Sequence, residues 1–256
     1  MPPDVSPWVY LALCASAFLA GGMNSIAGGG TLLTFPALLA VVDDPVANAT
    51  STVALLPGSL AGAWGYRKEL RSVRRFALML LPVSLIGGTL GALLLVWFPD
   101  EFKALVPWLI LVAAVLFLIQ PLVSRLLKKQ DANQPVGTSV TFGVMAFQFL
   151  VAVYGGYFGA GIGILMLTAL GFMHVGDIHH MNAVKTFLAS AINLVSVVVF
   201  VADNLIWWHY AAAMVVAAIL GGYLGARVAR KLPAKYVRWT VIAVGFGLAG
   251  YYFVKK

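Results

Sequence analysis

Charge is what this sequence has least of. Only 10% of its 256 residues are Asp, Glu, Lys or Arg, against roughly a quarter in a soluble domain. With 61% of the residues hydrophobic, too few charges remain to clothe a water-facing surface, and lipid is left as the surroundings of most of the chain. Cysteine is scarcer still. Cys14 stands alone, which excludes an internal disulfide and a cysteine-based metal centre and leaves the redox compartment open. In its apolar run Cys14 reads as a small core residue. Acidic residues are missing from every long apolar run, which disfavours a cation carrier or a carboxylate proton relay. Ser/His/Asp spacing and a Walker glycine loop are missing too, so a membrane enzyme or an ATP-driven pump finds no support. No catalytic residue, metal or cofactor is expected. The N-terminus has Asp4 but no Lys or Arg ahead of the apolar run from Trp8 to Ala20, so this run is expected to be a retained helix rather than a cleaved signal peptide.

What is there is a succession of apolar stretches, at 8–23, 31–42, 46–66, 76–98 and 102–123. A polar segment from Lys128 to Pro135 follows, and the pattern restarts at 140–158, 162–173, 181–201, 208–228 and 236–254. Stretches near twenty residues can cross a bilayer as helices. The stretches at 31–42 and 162–173 are too short to do so easily, and each follows a glycine-rich break. The second series echoes the first. Gly87-Gly88-Thr89-Leu90-Gly91-Ala92 is answered 134 positions on by Gly221-Gly222-Tyr223-Leu224-Gly225-Ala226. At the same spacing Asn48-Ala49 meets Asn182-Ala183 and Pro99 meets Pro233. The breaks Ala27-Gly28-Gly29-Gly30 and Gly159-Ala160-Gly161-Ile162-Gly163 correspond as well. Two membrane repeats, 1–127 and 137–256, joined by a cytoplasmic linker at 128–136, are therefore expected.

The formal charge of +8 invites a nucleic-acid reading. Its distribution excludes one, because the basic residues form short clusters between apolar runs, as in cytoplasmic loops. Equivalent loops of the two repeats carry opposite bias. Arg67, Lys68, Arg71, Arg74 and Arg75 follow the third stretch of the first repeat, where the second has Asp203 and no Lys or Arg. After the fourth stretch the first repeat has Asp100, Glu101 and only Lys103, whereas the second has Arg227, Arg230, Lys231, Lys235 and Arg238. The halves are thus expected to be inverted. The fold class is an all-α integral membrane protein with two inverted-topology repeats, each a glycine-broken helical hairpin plus three transmembrane helices. This arrangement gathers 13 of the 17 basic residues, including Arg125, Lys128 and Lys129, in the cytoplasm and leaves both termini outside. A single broken crossing in place of each hairpin would flip the N-terminus, and it fits the second half less well.

Inverted repeats with interrupted helices are a transporter signature, with the substrate held where broken helix ends face each other. The positive N-terminal ends of such helices attract anions and offer free N–H groups. Gly28, Gly29 and Gly30, with Gly159, Gly161 and Gly163, are the candidate positions, since glycine lets backbone approach a ligand closely. The competing reading is tight helix packing through small residues, which is the better one for Gly87/Gly91 and Gly221/Gly225.

Ser25-Ile26-Ala27-Gly28-Gly29-Gly30-Thr31-Leu32-Leu33-Thr34-Phe35-Pro36, followed by Asn48-Ala49-Thr50-Ser51, resembles the first repeat of the TauE/SafE sulfite exporter family. Tyr157-Phe158-Gly159-Ala160-Gly161-Ile162-Gly163, followed by Asn182-Ala183-Val184-Lys185 and Ile192-Asn193, is similar to its second repeat. The likeness spans nearly the whole chain. It implies movement of small sulfur-containing anions such as sulfite or organosulfonates. Some members also carry a lysine in the first repeat; the equivalent position here is near Ser51, which implies one lysine in the site rather than two.

Lys185 is the only Lys or Arg placed well inside an apolar span, Arg227 and Arg238 lying at the ends of theirs; charge there is expensive and marks function by default. The alternative is a lysine near the cytoplasmic end whose ammonium snorkels to the surface. Asn48, Thr50, Ser51, Asn182, Thr186 and Asn193 could add neutral donors around an anion or could link helices by hydrogen bonds. Asn24 and Gln148 are weaker candidates of the same kind. His174, Asp177, His179 and His180 could bind metal or relay protons, but no Cys or second acidic ligand joins them and the segment reads as a cytoplasmic loop. The expected protein is a secondary transporter of a small anion in a bacterial inner membrane, crossing it many times. A small-anion channel is the alternative, with an intramembrane enzyme behind it. Its partners are the anionic substrate and the bilayer, with no nucleic acid; a homodimer is compatible with the sequence.

Overall fold

Helix starts in this chain are marked by proline and aspartate. Pro7 and Pro99 open helices, where proline's missing N–H and fixed φ do no harm. Asp43 and Asp177 stand in extended backbone just before two others. The computed structural model describes residues 6–26, 29–127, 138–228 and 234–255. Asp4, Gly28, the linker 128–136, Arg230, Lys231 and Pro233 lie outside the described residues.

The described chain is helical, with no strands among the described residues. Its elements are α1 (Pro7–Ile26), α2 (Thr31–Leu39), α3 (Asp44–Gly65), α4 (Arg67–Ser72), α5 (Arg74–Trp97), α6 (Pro99–Leu127), α7 (Thr138–Tyr157), α8 (Ile162–Phe172), α9 (Ile178–Ala202), α10 (Trp208–Val228) and α11 (Ala234–Lys255). Four are long and apolar enough to cross a membrane, namely α5, α6 over Pro99–Leu122, α7 over Val140–Tyr157, and α9. α3 has the length, but Asn48, Thr50, Ser51, Thr52 and Ser59 lower its hydropathy. The short stretches after the glycine breaks form α2 and α8. Two features are new relative to the sequence reading. α6 runs on to Leu127, beyond the apolar run that ends at 123, and the basic segment after α3 winds into the short helix α4.

Helix contacts come in matched pairs. α1 packs along α10 as α7 packs along α5, and α3 meets α10 as α9 meets α5. α2 lies between α1 and α3, and α8 lies between α7 and α9. α2 touches α11 as α8 touches α6, while α3 packs on α9 and α6 on α11. Glycine makes the largest contacts possible. A Cβ on Gly221 would overlap the backbone of Phe18, and one on Gly21 would overlap the carbonyl of Ala218. In the other pair a Cβ on Gly91 would overlap the carbonyl of Val153, and one on Gly156 the carbonyl of Gly88. These helices touch backbone to backbone, the small-residue packing that membrane helices use for close approach. Gly87, whose Cβ would lie 2.7 Å from the carbonyl oxygen of Phe149, belongs to the same seam.

The interior is apolar and aromatic, with Phe35, Phe102, Phe117 and Phe158 together in one cluster and Leu80, Met166, Leu170 and Leu188 in another. Large apolar side chains also line the outside, among them Trp8, Leu19, Ile86, Leu150 and Val198. An outer surface of this kind suits a chain surrounded by lipid. Against this background the buried polar side chains Thr34, Asn48, Thr50, Ser51, Ser84, Gln148, Lys185, Ser190 and Ser196 stand out.

Candidate anion site

The site is best built from the start of α9. Asp177 accepts hydrogen bonds from the backbone N–H of His179 at 2.9 Å and of His180 at 3.0 Å, and its carboxylate also lies 2.8 Å from His180 Nδ1. This is an N-cap, in which a side-chain oxygen satisfies N–H groups that the helix leaves free. The N–H of His180, foremost, holds the Asp177 carboxyl below its ordinary value, with the His180 ring adding to the effect. The His/Asp cluster is therefore accounted for as a helix start. Among the described residues no group of three or more His, Cys, Asp or Glu side chains could hold a metal ion.

The cap fixes the position of Lys185 two turns into the helix. Lys185 is buried, with 7% of its surface exposed. Its ammonium donates to Asn182 Oδ1 at 2.8 Å. Its stem runs over Gly163 in the first turn of α8, where a Cβ would stand only 3.2 Å from Lys185 Cδ. The two carboxylate ion pairs among the described residues are Lys103–Asp100 and His180–Asp177, so the Lys185 ammonium has a neutral partner and no carboxylate. A buried ammonium beside the N-terminal end of a helix makes a region of positive potential.

Both glycine breaks require glycine's backbone freedom. Gly29 has φ +88°, and Gly159 and Gly161 have φ +81° and +80°, a region in which side chains with a Cβ are strained. Both breaks rest on one turn of α6. The space above Gly29 is filled by the ring of Phe117, and a Cβ on Gly161 would lie 3.3 Å from Leu116 Cδ1. The breaks differ in how their donors are used. The N–H of Gly30 donates to Asn24 Oδ1 at 2.7 Å, and Leu33 N–H closes on the Gly30 carbonyl at 2.9 Å. In α8 the corresponding turn is closed by Ile164 N–H to the Gly161 carbonyl at 3.0 Å, and Tyr154 Oη steadies the break by donating to the Ala160 carbonyl at 2.7 Å.

The sequence reading gathers Asn48, Thr50 and Ser51 around the same anion as Lys185. The structure places them elsewhere. Asn48 Nδ2 donates to the Tyr157 carbonyl at 3.1 Å, Thr50 Oγ1 accepts from Trp207 N–H at 3.0 Å, and Ser51 Oγ pairs with Thr34 Oγ1 at 2.5 Å. Thr50 thus reaches past the C-terminal end of α9, whereas Gly62 faces Thr186 near its beginning. α3 and α9 are therefore antiparallel. Lys185 lies at the level of Gly62, eleven residues and about 16 Å along α3 from Ser51. There are two polar clusters: an uncharged one of Asn48, Thr50, Ser51 and Thr34, and a charged one of Lys185 and Asn182 beside Gly163. Asn193 is half-buried on α9, eight residues and about 12 Å beyond Lys185, and belongs to neither. Gln148 joins Ser84 at 3.0 Å across the α5–α7 contact, an interhelical hydrogen bond. Thr34 joins the uncharged cluster without having been a candidate by sequence; a hydroxyl within a short, mostly apolar stretch was the available signal.

The sequence profile of the family described as "Sulfite exporter TauE/SafE" matches residues 13–252. A probable membrane transporter protein of Haemophilus influenzae is 32% identical over 250 residues, covering 95% of this chain and 94% of that protein. The probable membrane transporter protein ORF9 of Sinorhizobium sp is 28% identical over 250 residues, covering 96% and 93%. The probable membrane transporter protein YfcA of Escherichia coli K12 is 27% identical over 247 residues, covering 94% and 88%. No solved structure matches this chain significantly.

Proposed function

Because the chain belongs to the TauE/SafE family of multi-pass membrane transporters and is not an enzyme, we propose that it is a secondary transporter of a small sulfur-containing oxyanion, such as sulfite or an organosulfonate, working by alternating access. One observation carries this reading. Lys185 is buried within α9 with only the neutral Asn182 as partner. A buried cation is costly unless an anion neutralises it, and the chain supplies no carboxylate to Lys185 among the described residues. A small anion that reaches the ammonium supplies the missing charge. Gly161 and Gly163 then serve it differently: Gly161 lets α8 begin at the required angle, and Gly163 leaves room for the lysine stem.

Alternating access needs two halves that exchange contacts. The paired helix contacts, in which each partner of the first half has a counterpart in the second, support an inverted repeat, and the reversed loop charge supports its orientation. Helical spans rather than a β-barrel, in a chain whose named relatives are bacterial, favour the inner membrane. The reading is tested by counterflow of labelled sulfite, an organosulfonate and sulfate in vesicles containing the purified protein. Saturable, trans-stimulated flux of the first two is expected. Flux that never saturates and shows no trans-stimulation would instead identify a channel, and absence of flux for all three would remove the proposed substrate class.

A further inference from the structure

The strongest charge on the described surface lies at the turn between α3 and α5, just beyond the level of Gly62 and Lys185. Arg67, Lys68, Arg71, Arg74 and Arg75 are all exposed there. One acidic residue, Glu69, shares the segment, and its Oε2 atom is buried. None of the five cations has a carboxylate within ion-pair reach among the described residues. α4 is held in place from beneath, since Leu70 and Val73 pack into the apolar cluster that contains Leu80 and Met181. Arg67, Lys68 and Arg71 are therefore displayed on an anchored one-and-a-half-turn helix, and Arg74 and Arg75 on the first turn of α5, rather than on a free loop.

A second feature sets the depth of this surface. Trp64, on the last turn of α3, is 72% exposed. The Arg67 guanidinium lies 5.3 Å from the centre of its ring, and Arg67 Nη1 donates to the Trp64 carbonyl at 3.2 Å. Tryptophan at the end of a span prefers the interface between hydrocarbon and headgroups. A guanidinium stacked on that indole stands at phosphate level with part of its side-chain entropy already lost. Arginine's planar donor array also suits phosphate oxygens better than water does.

We propose that the surface formed by Trp64, Arg67, Lys68, Arg71, Arg74 and Arg75 is a docking site for the headgroup phosphates of anionic phospholipids in the leaflet that faces α4. The membrane supplies such phosphates at this depth, and clusters of cations beside a span attract anionic lipids. Five cations with no carboxylate partner among the described residues match several phosphates at once. The site is independent of the anion reading of Lys185.

The test uses the full chain in nanodiscs, with Cys14→Ala and a fluorophore on Ser72→Cys, an exposed position on α4. Quenching by phosphatidylglycerol and by phosphatidylcholine, each spin-labelled in the headgroup, is compared. Phosphatidylglycerol should be preferred by more than the roughly 25-fold that two such cations contribute. Each cation beside an anionic surface contributes roughly fivefold, so Arg67→Gln with Arg71→Gln should lower phosphatidylglycerol affinity roughly 25-fold. Arg67→Lys with Arg71→Lys should keep most of the preference, which separates charge loss from misfolding. Equal quenching by the two lipids, an unchanged preference in the glutamine pair, or loss in the lysine pair would overturn the proposal. So would displacement of phosphatidylglycerol by equimolar inorganic phosphate, because that would mark a free-anion site rather than a lipid one.

Discussion

Replacing Lys185 with methionine separates what the ammonium does for the anion from what it does for the fold. Methionine keeps the length of the stem over Gly163 and removes the charge. If a small anion completes the charge at Lys185, the variant loses a charge-assisted contact worth roughly 1.5–3 kcal/mol, or about 10- to 150-fold in affinity. Stability should move the other way. A lysine placed within a span costs roughly 2.5–3.5 kcal/mol. The hydrogen bond to Asn182 at 2.8 Å offsets part of that, roughly 1.5–3 kcal/mol for a bond from a charged donor. The protein without anion should therefore be equally stable or more stable as Lys185→Met, by about 0–2 kcal/mol. Lys185→Gln should lose affinity similarly, while Lys185→Arg, which keeps the charge in a different geometry, should bind in part. The assay pairs sulfite titration calorimetry on purified protein with thermal unfolding in the same detergent without sulfite. Sulfite affinity within twofold of wild type in Lys185→Met would refute the charged site. A large fall in melting temperature would refute the claim that the ammonium is unneutralised in the absence of anion.

Gly221→Ala should destabilise the protein by about 1–3 kcal/mol or more, because its Cβ must displace the backbone of Phe18. Gly143→Ala on α7, where no atom lies within 4 Å of the added Cβ, should be neutral or slightly stabilising through helix propensity, and equal melting temperatures for the two variants would contradict the backbone contact of α1 with α10. Asp177→Ala should cost about 1 kcal/mol through loss of the α9 cap, while Asp177→Asn should cost little, as Asn caps well. Since folding lowers the Asp177 pKa, its contribution is present above the ordinary carboxylate value and fades as pH falls below about 4. With 59% of the side chain exposed the effect is small, and it should be missing from the acid limb of the Asp177→Asn melting curve.

Much of this architecture is written along the chain, because its signals are local. The glycine runs at 29–30 and 159–163 end α1 and α7 and begin α2 and α8, since positive φ at Gly29, Gly159 and Gly161 is a property of residue type. The small residues of the α1–α10 and α5–α7 contacts were legible for the same reason. α4 was not, because six residues with a single well-placed leucine carry no period to read. The extension of α6 to Leu127 was hidden by its polar end. The division of the polar residues into two clusters was also beyond the sequence. Asn48, Thr50, Ser51 and Lys185 could be identified as polar residues in apolar surroundings, but their depths follow from the antiparallel crossing of α3 and α9, a relation between residues more than a hundred positions apart. Thr50 shows the consequence. Its hydroxyl, a reasonable ligand group by type, accepts the N–H of Trp207 beside the start of α10.

The two clusters have the same plan and different contents. Asp43 and Asp177, Asn48 and Asn182, and Ser51 and Lys185 are each 134 positions apart, and each trio occupies the first turns of α3 or α9. Where α9 sends Lys185 over Gly163 of α8, α3 brings Ser51 against Thr34 of α2. The hydroxyl pair satisfies itself, whereas the ammonium has only a neutral acceptor. Inverted halves would set these clusters toward opposite faces of the membrane, so that an anion would meet a fixed positive charge on one side of the centre and only dipoles on the other. Attraction to a buried unit charge exceeds that to a hydroxyl dipole and falls off more slowly with distance. The free-energy profile for an anion crossing the protein would then be lowest on the Lys185 side. In that arrangement the asymmetry between Ser51 and Lys185, rather than the shared scaffold, determines from which face the anion is held more tightly.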